Sequence, residues 1–150
     1  MTGKRMRIVI LGCGRVGARL ANTLDREGHL VSIIDRNAEQ FRRLSPDFRG
    51  NVVLGIGIDE DVLRQAGIEQ ADIFVAVTNV DNTNVMASEI AREIFHVPKV
   101  ITRLYDPARS EIYRTLGLET VCPTVLAAAR IRDMLMLRAK APRPATPADG

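Results

Sequence analysis

Residues 7–35 contain the feature that most constrains the fold, a glycine-rich turn between a buried strand and an amphipathic helix. A short apolar run precedes Gly12, Gly14 and Gly17, which have the spacing Gly-x-Gly-x-x-Gly, and a second apolar run ends at Asp35. This context is far more specific than the glycines alone. Gly12 permits a tight turn, Gly14 omits a Cβ that would block a pyrophosphate, and Gly17 lets the helix approach the sheet. The segment predicts nucleotide binding.

The turn and the start of this helix are the predicted phosphate site. A helix N-terminus presents free backbone N–H groups and a partial positive charge to phosphate. Cys13, Arg15 and Val16 lie between the glycines. Arg15 is either an exposed residue at the helix start or a charge-assisted contact to phosphate. The Gly-Lys-Ser/Thr loop of phosphoryl-transfer proteins is absent from the sequence.

Asp35 is the predicted ribose ligand. It ends a buried strand about 20 residues after the turn, where a carboxylate accepts hydrogen bonds from both ribose hydroxyls. A carboxylate there favours a free 2′-hydroxyl, and hence NAD or an adenosine phosphate over NADP. The alternative is that the adjacent Arg36 binds a 2′-phosphate.

Alternating strand and helix patterns predict an α/β chain, a Rossmann-like doubly wound parallel sheet of six strands in the order 3-2-1-4-5-6. The predicted strands are 6–11, 30–35, 51–54, 72–77, 99–104 and 119–122. The predicted helices are 15–26, 38–44, 60–66, 82–95, 107–116 and 124–139. Asp106 with Pro107 is expected to cap a helix, and Gly67 and Gly117 to end helices.

Polar residues follow the fourth and fifth strands, at the edge where such sheets bind ligands. Thr78 and Asn79 are candidate ligand contacts, while Asp81 is expected to cap the following helix. Arg103 lies in a buried strand and needs a partner. That partner is a nucleotide phosphate, a dimer contact, or a carboxylate such as Asp59 or Asp106.

Composition excludes several classes of protein. A chain of 150 residues with a formal charge of +3 and no basic run with interleaved aromatics argues against nucleic-acid binding. Two cysteines make neither a disulfide framework nor a zinc site, and free thiols suit a reducing compartment. No apolar run approaches the ~18 residues of a membrane span. We expect one domain over 1–140 and a flexible Pro-rich tail or linker over 141–150.

The last predicted helix is apolar around much of its surface, as the sequence of 124–139 shows. Its apolar residues exceed what one stripe buries against a single sheet. The helix either closes the domain or presents an apolar face to a second subunit, and we favour the second interpretation.

The chain resembles the N-terminal nucleotide-binding domain of the RCK/KTN family, the TrkA-type regulators of potassium transport. The resemblance covers about residues 6–138. The segments that carry it are 10–17, 31–35, 61–72, 75–84 and 101–107.

The resemblance implies a Rossmann-like domain that binds NAD(H) or ATP/ADP and catalyses no reaction. It places the binding positions at residues 12–17, Asp35, Thr78, Asn79 and Arg103, with Arg15 able to reach terminal phosphates. It also implies homodimers, often with a crossover of the last helix, and higher rings. Such rings act at the cytoplasmic side of the cell membrane on an integral-membrane potassium channel or transporter.

The chain departs from the family pattern after the third strand. Many members have Gly-Asp-Ala/Gly-Thr there, whereas this chain has Gly55-Ile-Gly57-Ile-Asp59. Gly57 is then expected to offer only backbone near the adenine. Many members also continue into a second ligand-sensing domain, so the chain is either cut at a linker or a single-domain regulator.

Two other functions use the same fold. One is a regulatory domain of a cation/proton antiporter. The other is an NAD-dependent oxidoreductase, which would need a substrate domain and a placed acid or base for which the sequence leaves no room after residue 140.

Overall fold

A computed structural model of the chain describes the backbone of residues 3–140 and the side chains of residues 3–137. In chain order the strands are β1 Arg7–Leu11, β2 Leu30–Asp35, β3 Asn51–Leu54, β4 Ile73–Ala76, β5 Lys99–Arg103 and β6 Glu119–Val121. They form one six-stranded sheet in the order β3-β2-β1-β4-β5-β6, and every pairing is parallel. The predicted fold class and strand order are confirmed.

The α-helices are α1 Arg15–Arg26, α2 Glu60–Gln65, α3 Asp81–Glu89, α4 Pro107–Thr115 and α5 Pro123–Lys140. Asp106 caps α4 through the N–H of Ala108, and Gly67 and Gly117 follow helix ends with positive φ, as expected. No helix within residues 3–140 has the length and apolar character needed to cross a bilayer.

Three segments differ from the predicted helices. The segment after β2 is a 3-10 helix, Ala38–Arg43, and a short 3-10 helix at Ile68–Gln70 was not predicted. Helix α3 stops at Glu89 and continues as a π-helix over Ile90–Ile94. The 3-10, α and π helices differ in whether each hydrogen bond spans three, four or five residues, and the pattern of apolar residues does not distinguish them over short segments.

Strand β1 separates the two halves of the core. Its alternate residues Ile8 and Ile10 belong to an apolar cluster with the buried alanines of α1. Val9 and Leu11 belong to a second cluster that includes Leu63 of α2 and Ala87 of α3. Because both faces of the central strands are covered, these strands read as continuous apolar runs in the sequence.

The turn after β1 and helix α1 are in close contact. Gly12 has a φ of +108°, and a Cβ there would lie 2.9 Å from the backbone nitrogen of Thr78. A Cβ on Gly17 would overlap the carbonyl oxygen of Gly12 and press on Val77. The glycines at these two positions therefore allow α1 to begin directly over the carboxyl end of β1.

Helix α5 leaves the body of the domain. Every residue from Thr124 to Leu137 is exposed, including apolar residues such as Ile131 and Met134. The interpretation of this helix as one that closes the domain is therefore wrong for the side chains that the structure describes.

Replacing Gly17 with alanine is expected to lower the free energy of unfolding by about 2–4 kcal/mol, since the new Cβ would force α1 away from the turn. Urea unfolding followed by circular dichroism measures the change. Gly14→Ala is the matched control, because a Cβ at Gly14 meets no atom within 4 Å and an N-cap Gly-to-Ala change costs only about 0.5 kcal/mol. Equal losses in the two variants would contradict the steric explanation.

Candidate functional site

A cleft of about 790 Å³ lies at the carboxyl ends of the strands, where the strand order reverses between β1 and β4. This is the position at which doubly wound sheets bind their ligands. The cleft-lining residues that the predictions named are Gly12, Gly14, Arg15, Val16, Asp35, Arg36, Gly57, Thr78, Asn79 and Arg103. The structure thus brings together residues from five separate segments of the chain.

Gly14 has no structural requirement for glycine. Its φ is −77°, which any residue adopts, and a Cβ would meet nothing within 4 Å. Its carbonyl accepts the first hydrogen bond of α1, from Ala18. The missing side chain leaves open space at the helix N-terminus in the cleft, as a bound phosphate group requires.

The Asp35 carboxylate bridges the two turns beside it. One oxygen accepts a hydrogen bond from the N–H of Cys13 at 2.9 Å, and the other accepts from the N–H of Asn37 at 2.9 Å. Each carboxylate oxygen keeps further acceptor capacity for a ligand hydroxyl. Asp35 therefore fixes the glycine turn relative to β2 and still faces the cleft.

Cys13 and Gly17 do not line the cleft. Cys13 is fully buried, and its thiol donates to the carbonyl of Gln40 at 3.4 Å. Its contribution to the site is the backbone N–H bonded to Asp35, and that of Gly17 is the close packing of α1. Sequence spacing placed both residues in the predicted binding motif but did not separate cleft-facing from packed positions.

Asn84 organises the other side of the cleft, and no sequence pattern assigned it this role. It is fully buried, and its Oδ1 accepts from the backbone N–H of Thr78 at 3.0 Å and from the Thr78 hydroxyl at 2.6 Å. Its Nδ2 donates to the carbonyls of Thr78 and Arg103, both at 3.0 Å. One amide side chain thus joins the ends of β4 and β5. A buried amide with all its hydrogen bonds made is the signal of such a role.

Asp81 does not cap α3 with its side chain, so that expectation is wrong. Helix α3 begins at Asp81, and the residue before it, Val80, makes no side-chain cap. The Asp81 carboxylate instead accepts from the N–H of Tyr105 at 3.0 and 3.2 Å and lies 3.9 Å from the Arg109 guanidinium. It ties the start of α3 to the segment after β5.

Arg103 has no carboxylate partner among the described residues, so Asp59 and Asp106 do not neutralise it. Its Nη1 donates to the carbonyl of Val77 at 3.4 Å, and its guanidinium stacks on the Tyr105 ring, 4.3 Å from the centroid, with a contact to the hydroxyl. Its Nε is buried without a hydrogen-bond partner. The positive charge therefore faces the cleft uncompensated.

Tyr105 connects this side of the cleft to α5, and no sequence pattern singled it out. Its ring lines the cleft against Arg103, and its carbonyl accepts from the hydroxyl of Thr124 at 3.1 Å and the thiol of Cys122 at 3.5 Å. Thr124 is the second residue of α5. Tyr105 thus lines the cleft and is also hydrogen-bonded to the first turn of α5.

The cleft is strongly cationic. Arg15, Arg36, Arg43 and Arg103 line it, whereas Asp35 is the single carboxylate among the described lining residues. Helices α1 and α3 both begin at the cleft, which adds partial positive charge. Among the described residues no group of three or more His, Cys, Asp or Glu is arranged to hold a metal ion.

A family model for the TrkA-N domain matches residues 8–124, from β1 to the start of α5. The chain belongs to the TrkA-N domain family. It is 53% identical over 116 residues to the Trk system potassium uptake protein TrkA of Streptomyces coelicolor, which covers 77% of this chain and 52% of the relative. It is 34% identical over 135 residues to a TrkA homolog of Methanothermobacter thermautotrophicus, covering 90% of this chain and 62% of the relative. The chain thus spans about half the length of the Streptomyces relative.

Solved structures of TrkA-N-like domains share the fold. The GsuK RCK domain superposes with a TM-score of 0.73 at 27% identity, covering 89% of this chain and 28% of that one. The Kef C-terminal domain of Shewanella denitrificans in its AMP-bound form gives 0.76 at 21% identity, covering 89% and 82%. The GsuK channel bound to NAD gives a TM-score of 0.65 at 24% identity, covering 82% of this chain and 22% of that one. GsuK bound to ADP gives a TM-score of 0.64 at 23% identity, covering 79% of this chain and 31% of that one.

The Cys13 thiol is predicted to be unreactive, and its titration is predicted to make the free energy of unfolding depend on pH in the alkaline range. Burial, reinforced by the Asp35 carboxylate and opposed by Arg43, raises its pKa from 9.0 to about 11. Between these values the unfolded chain loses the thiol proton and the folded chain keeps it, so stability falls as pH rises. The free energy of unfolding should fall by up to about 2 kcal/mol more in the native protein than in Cys13→Ala between pH 9 and 11. Urea unfolding at each pH measures it, and parallel profiles would contradict the assignment.

Proposed function

We propose that this TrkA-N domain is a non-enzymatic nucleotide sensor that regulates a membrane potassium uptake system. The observation that carries the proposal is the cationic cleft over Gly14, where the protein itself has no need for a glycine. The Streptomyces relative is a Trk system potassium uptake protein, and the GsuK structures include NAD-bound and ADP-bound forms.

In the proposed complex the phosphates lie on the N-terminus of α1 at Gly12 and Gly14, and Arg15 reaches the terminal phosphate. The ribose hydroxyls donate to Asp35. The Asp35 carboxylate and the glycine turn already hold each other in place, since the carboxylate accepts a hydrogen bond from the N–H of Cys13 at 2.9 Å. Ordering of the site before binding lowers the entropic cost of binding.

The ligand is an adenine nucleotide, either ATP/ADP or NAD(H). Four arginines against one carboxylate favour the ligand with the greater negative charge, which is the adenosine polyphosphate. Arg36 follows Asp35 and lines the same cleft, so a 2′-phosphate is the alternative ligand group for that arginine.

Tyr105 is the proposed connection through which nucleotide binding in the cleft changes the orientation of α5. A phosphate that binds Arg103 changes the contacts of that guanidinium with Tyr105 and Val77, and Tyr105 holds the first turn of α5 through Thr124. Two nucleotides with different contacts to Arg103 would then favour different orientations of α5. Only such a difference in affinity between states moves the equilibrium.

Helix α5 is proposed to pair with a second copy of the chain as a homodimer, the unit from which a ring on the cytoplasmic face of the membrane partner is built. An 18-residue helix with exposed Ile131, Met134 and Leu137 is poorly stable without a partner. Exposed apolar surface of this extent marks a protein interface. The Pro-rich segment 141–150 lies outside the described residues and stays a predicted tail or linker.

The first test is calorimetric titration of the purified chain with ATP, ADP, NAD, NADH and NADPH. At least one should bind, without consumption of NADH, and Gly14→Ala should weaken that binding at least tenfold, because its Cβ occupies phosphate space. Unlike Asp35→Ala, which removes two structural hydrogen bonds, Gly14→Ala leaves the contacts of the fold intact.

No binding by the wild-type chain would refute the sensor. NADH turnover would favour the oxidoreductase instead. Potassium uptake in cells that depend on the full-length protein should lose its response to nucleotide supply in the Gly14→Ala variant, and an unchanged response would separate nucleotide binding from potassium regulation.

Replacing Met134 and Leu137 with glutamine should shift the protein from dimer to monomer, since both side chains lie exposed on α5. Light scattering coupled to size-exclusion chromatography measures the mass. Thr115→Gln, an exposed change on α4, is the control. A mass that stays dimeric in the double variant would exclude α5 as the interface.

A further inference from the structure

A second cavity, of about 420 Å³, lies at the opposite edge of the sheet from the cleft, where strands β1, β2 and β3 begin. Its volume is in the range of small-molecule sites. We call this cavity the basic pocket, and its ionisable lining residues are Arg5, Arg7, Asp25, His29 and Arg49. The basic pocket and the cleft share no described lining residue, so the basic pocket has no part in the nucleotide site.

The positive charge of the basic pocket is not neutralised by the fold. Within the described chain, no ion pair to a carboxylate involves its three arginines, Arg5, Arg7 and Arg49. The Asp25 carboxylate accepts the backbone N–H of Arg49 at 3.1 Å, and the nearby Asp72 carboxylate accepts the backbone N–H of Arg7 at 2.8 Å. Three guanidinium groups against the single lining carboxylate give the basic pocket a net charge of +2 while its histidine is neutral.

His29 adds an oriented hydrogen-bond donor to this lining. Its Nδ1 accepts from the backbone N–H of Met6 at 3.1 Å, so the proton of the neutral ring is on Nε2. The backbone N–H of His29 donates to the carbonyl of Leu24 at 3.1 Å, which fixes the residue to the end of α1. The wall of the basic pocket therefore carries a positioned N–H donor besides the guanidinium groups.

Helices α1 and α2 both end at the basic pocket, and the partial negative charge of a helix C-terminus opposes an anion. These terminal carbonyls are already hydrogen-bonded. Backbone N–H groups that follow each helix, together with the Nδ2 of Asn51, donate to the carbonyls of Thr23, Leu24, Asp25, Val62, Arg64 and Gln65. The unpaired guanidinium groups therefore set the sign of the potential in the basic pocket.

We propose that the basic pocket is a second ligand site, which binds a phosphate monoester. Such a group has a charge of about −2 at neutral pH and three terminal acceptor oxygens. Guanidinium groups bind phosphate oxygens in bidentate pairs. The donors come from three segments, at the start of β1, before β2 and before β3, and they exceed what the two oxygens of a carboxylate accept in such pairs. This site is separate from the cleft and does not rest on the proposed nucleotide function.

The test titrates glycerol 3-phosphate into the ¹⁵N-labelled chain and follows the backbone amide chemical shifts by NMR. We expect saturable shifts around residues 5–7, 28–30 and 49–51, distinct from any shifts at residues 12–17 of the cleft. Arg7→Gln and Arg49→Gln should each raise the Kd obtained at residues 28–30 about tenfold, because each removes a charge-assisted contact. Both side chains are exposed and the backbone bonds of both residues remain, so thermal unfolding should be nearly unchanged.

Arg26→Gln is the matched control. Arg26 is an exposed residue in the last turn of α1 that does not line the basic pocket, so its replacement should leave the Kd within about twofold. Gly14→Ala, which alters only the cleft, should leave the shifts at the basic pocket unchanged. Acetate, with one charge and two oxygens, should bind there at least tenfold more weakly than glycerol 3-phosphate.

The same ester occurs in a soluble molecule and in a lipid headgroup, and a second arm separates these sources. Phosphatidylcholine vesicles with and without phosphatidic acid are sedimented with the chain. Sedimentation that requires phosphatidic acid and is lost in Arg7→Gln and Arg49→Gln would assign the site to a lipid headgroup. Saturable binding of glycerol 3-phosphate without such sedimentation would assign it to a soluble ester.

The proposal is overturned if neither glycerol 3-phosphate nor phosphatidic acid vesicles bind at the basic pocket. Shifts confined to residues 12–17 would likewise overturn it while supporting the cleft as the phosphate site. Equal weakening in Arg26→Gln, or equal affinity for acetate, would reduce the effect to general attraction by a cationic surface and also overturn it. Failure of nucleotide binding at the cleft would leave the result at the basic pocket unaffected, so the two claims fail separately.

Discussion

The close approach of helix α1 to the turn after β1 is the constraint on which the site depends. This approach requires that positions 12 and 17 carry no side chain. A Cβ at position 12 would meet the backbone of Thr78, and a Cβ at position 17 would meet the carbonyl of Gly12. With that contact made, the helix N-terminus lies at the carboxyl end of the central strand and its free N–H groups face the cleft. Gly14, between these positions, has no such steric reason to be glycine. The motif therefore combines two glycines that build the turn with one that leaves space for a ligand.

Two side-chain networks hold the walls of the cleft in place. On one side the Asp35 carboxylate bonds the backbone of Cys13 and Asn37, which joins β2 to the glycine turn. On the other side Asn84 bonds backbone groups of Thr78 and Arg103, which joins β4 to β5. Buried polar groups that are fully bonded fix a structure closely, since any displacement leaves one of them unpaired. The arginines are held at the cleft by this framework.

The cleft differs from one end to the other. Arg15 and the N-terminus of α1 lie at the glycine turn and Arg103 bonds the carbonyl of Val77 after β4, whereas Ile56 and Ile58 line the cleft on the segment bonded to Asp35. A nucleotide has the same division between its charged phosphates and its flat base. On the far side, Tyr105 contacts both Arg103 and the start of α5, so the charged end of the cleft is the part that is linked to the exposed helix.

The sequence by itself determined the fold class and the strand order, and it predicted the edge of the sheet at which the cleft lies. Apolar periodicity and the glycine spacing are local signals, and a parallel right-handed topology leaves few alternatives. Ten of the residues that the sequence motifs singled out line the cleft. Only the tertiary structure decided which groups each side chain meets: that Cys13 is buried, that Asp81 bonds Tyr105 instead of capping α3, and that Asn84 joins two strand ends. These contacts join residues far apart in the chain, and their partners depend on how strands and helices pack, which local propensity does not encode. The same holds for α5, whose composition indicated an excess of apolar surface but whose departure from the sheet is visible only in three dimensions.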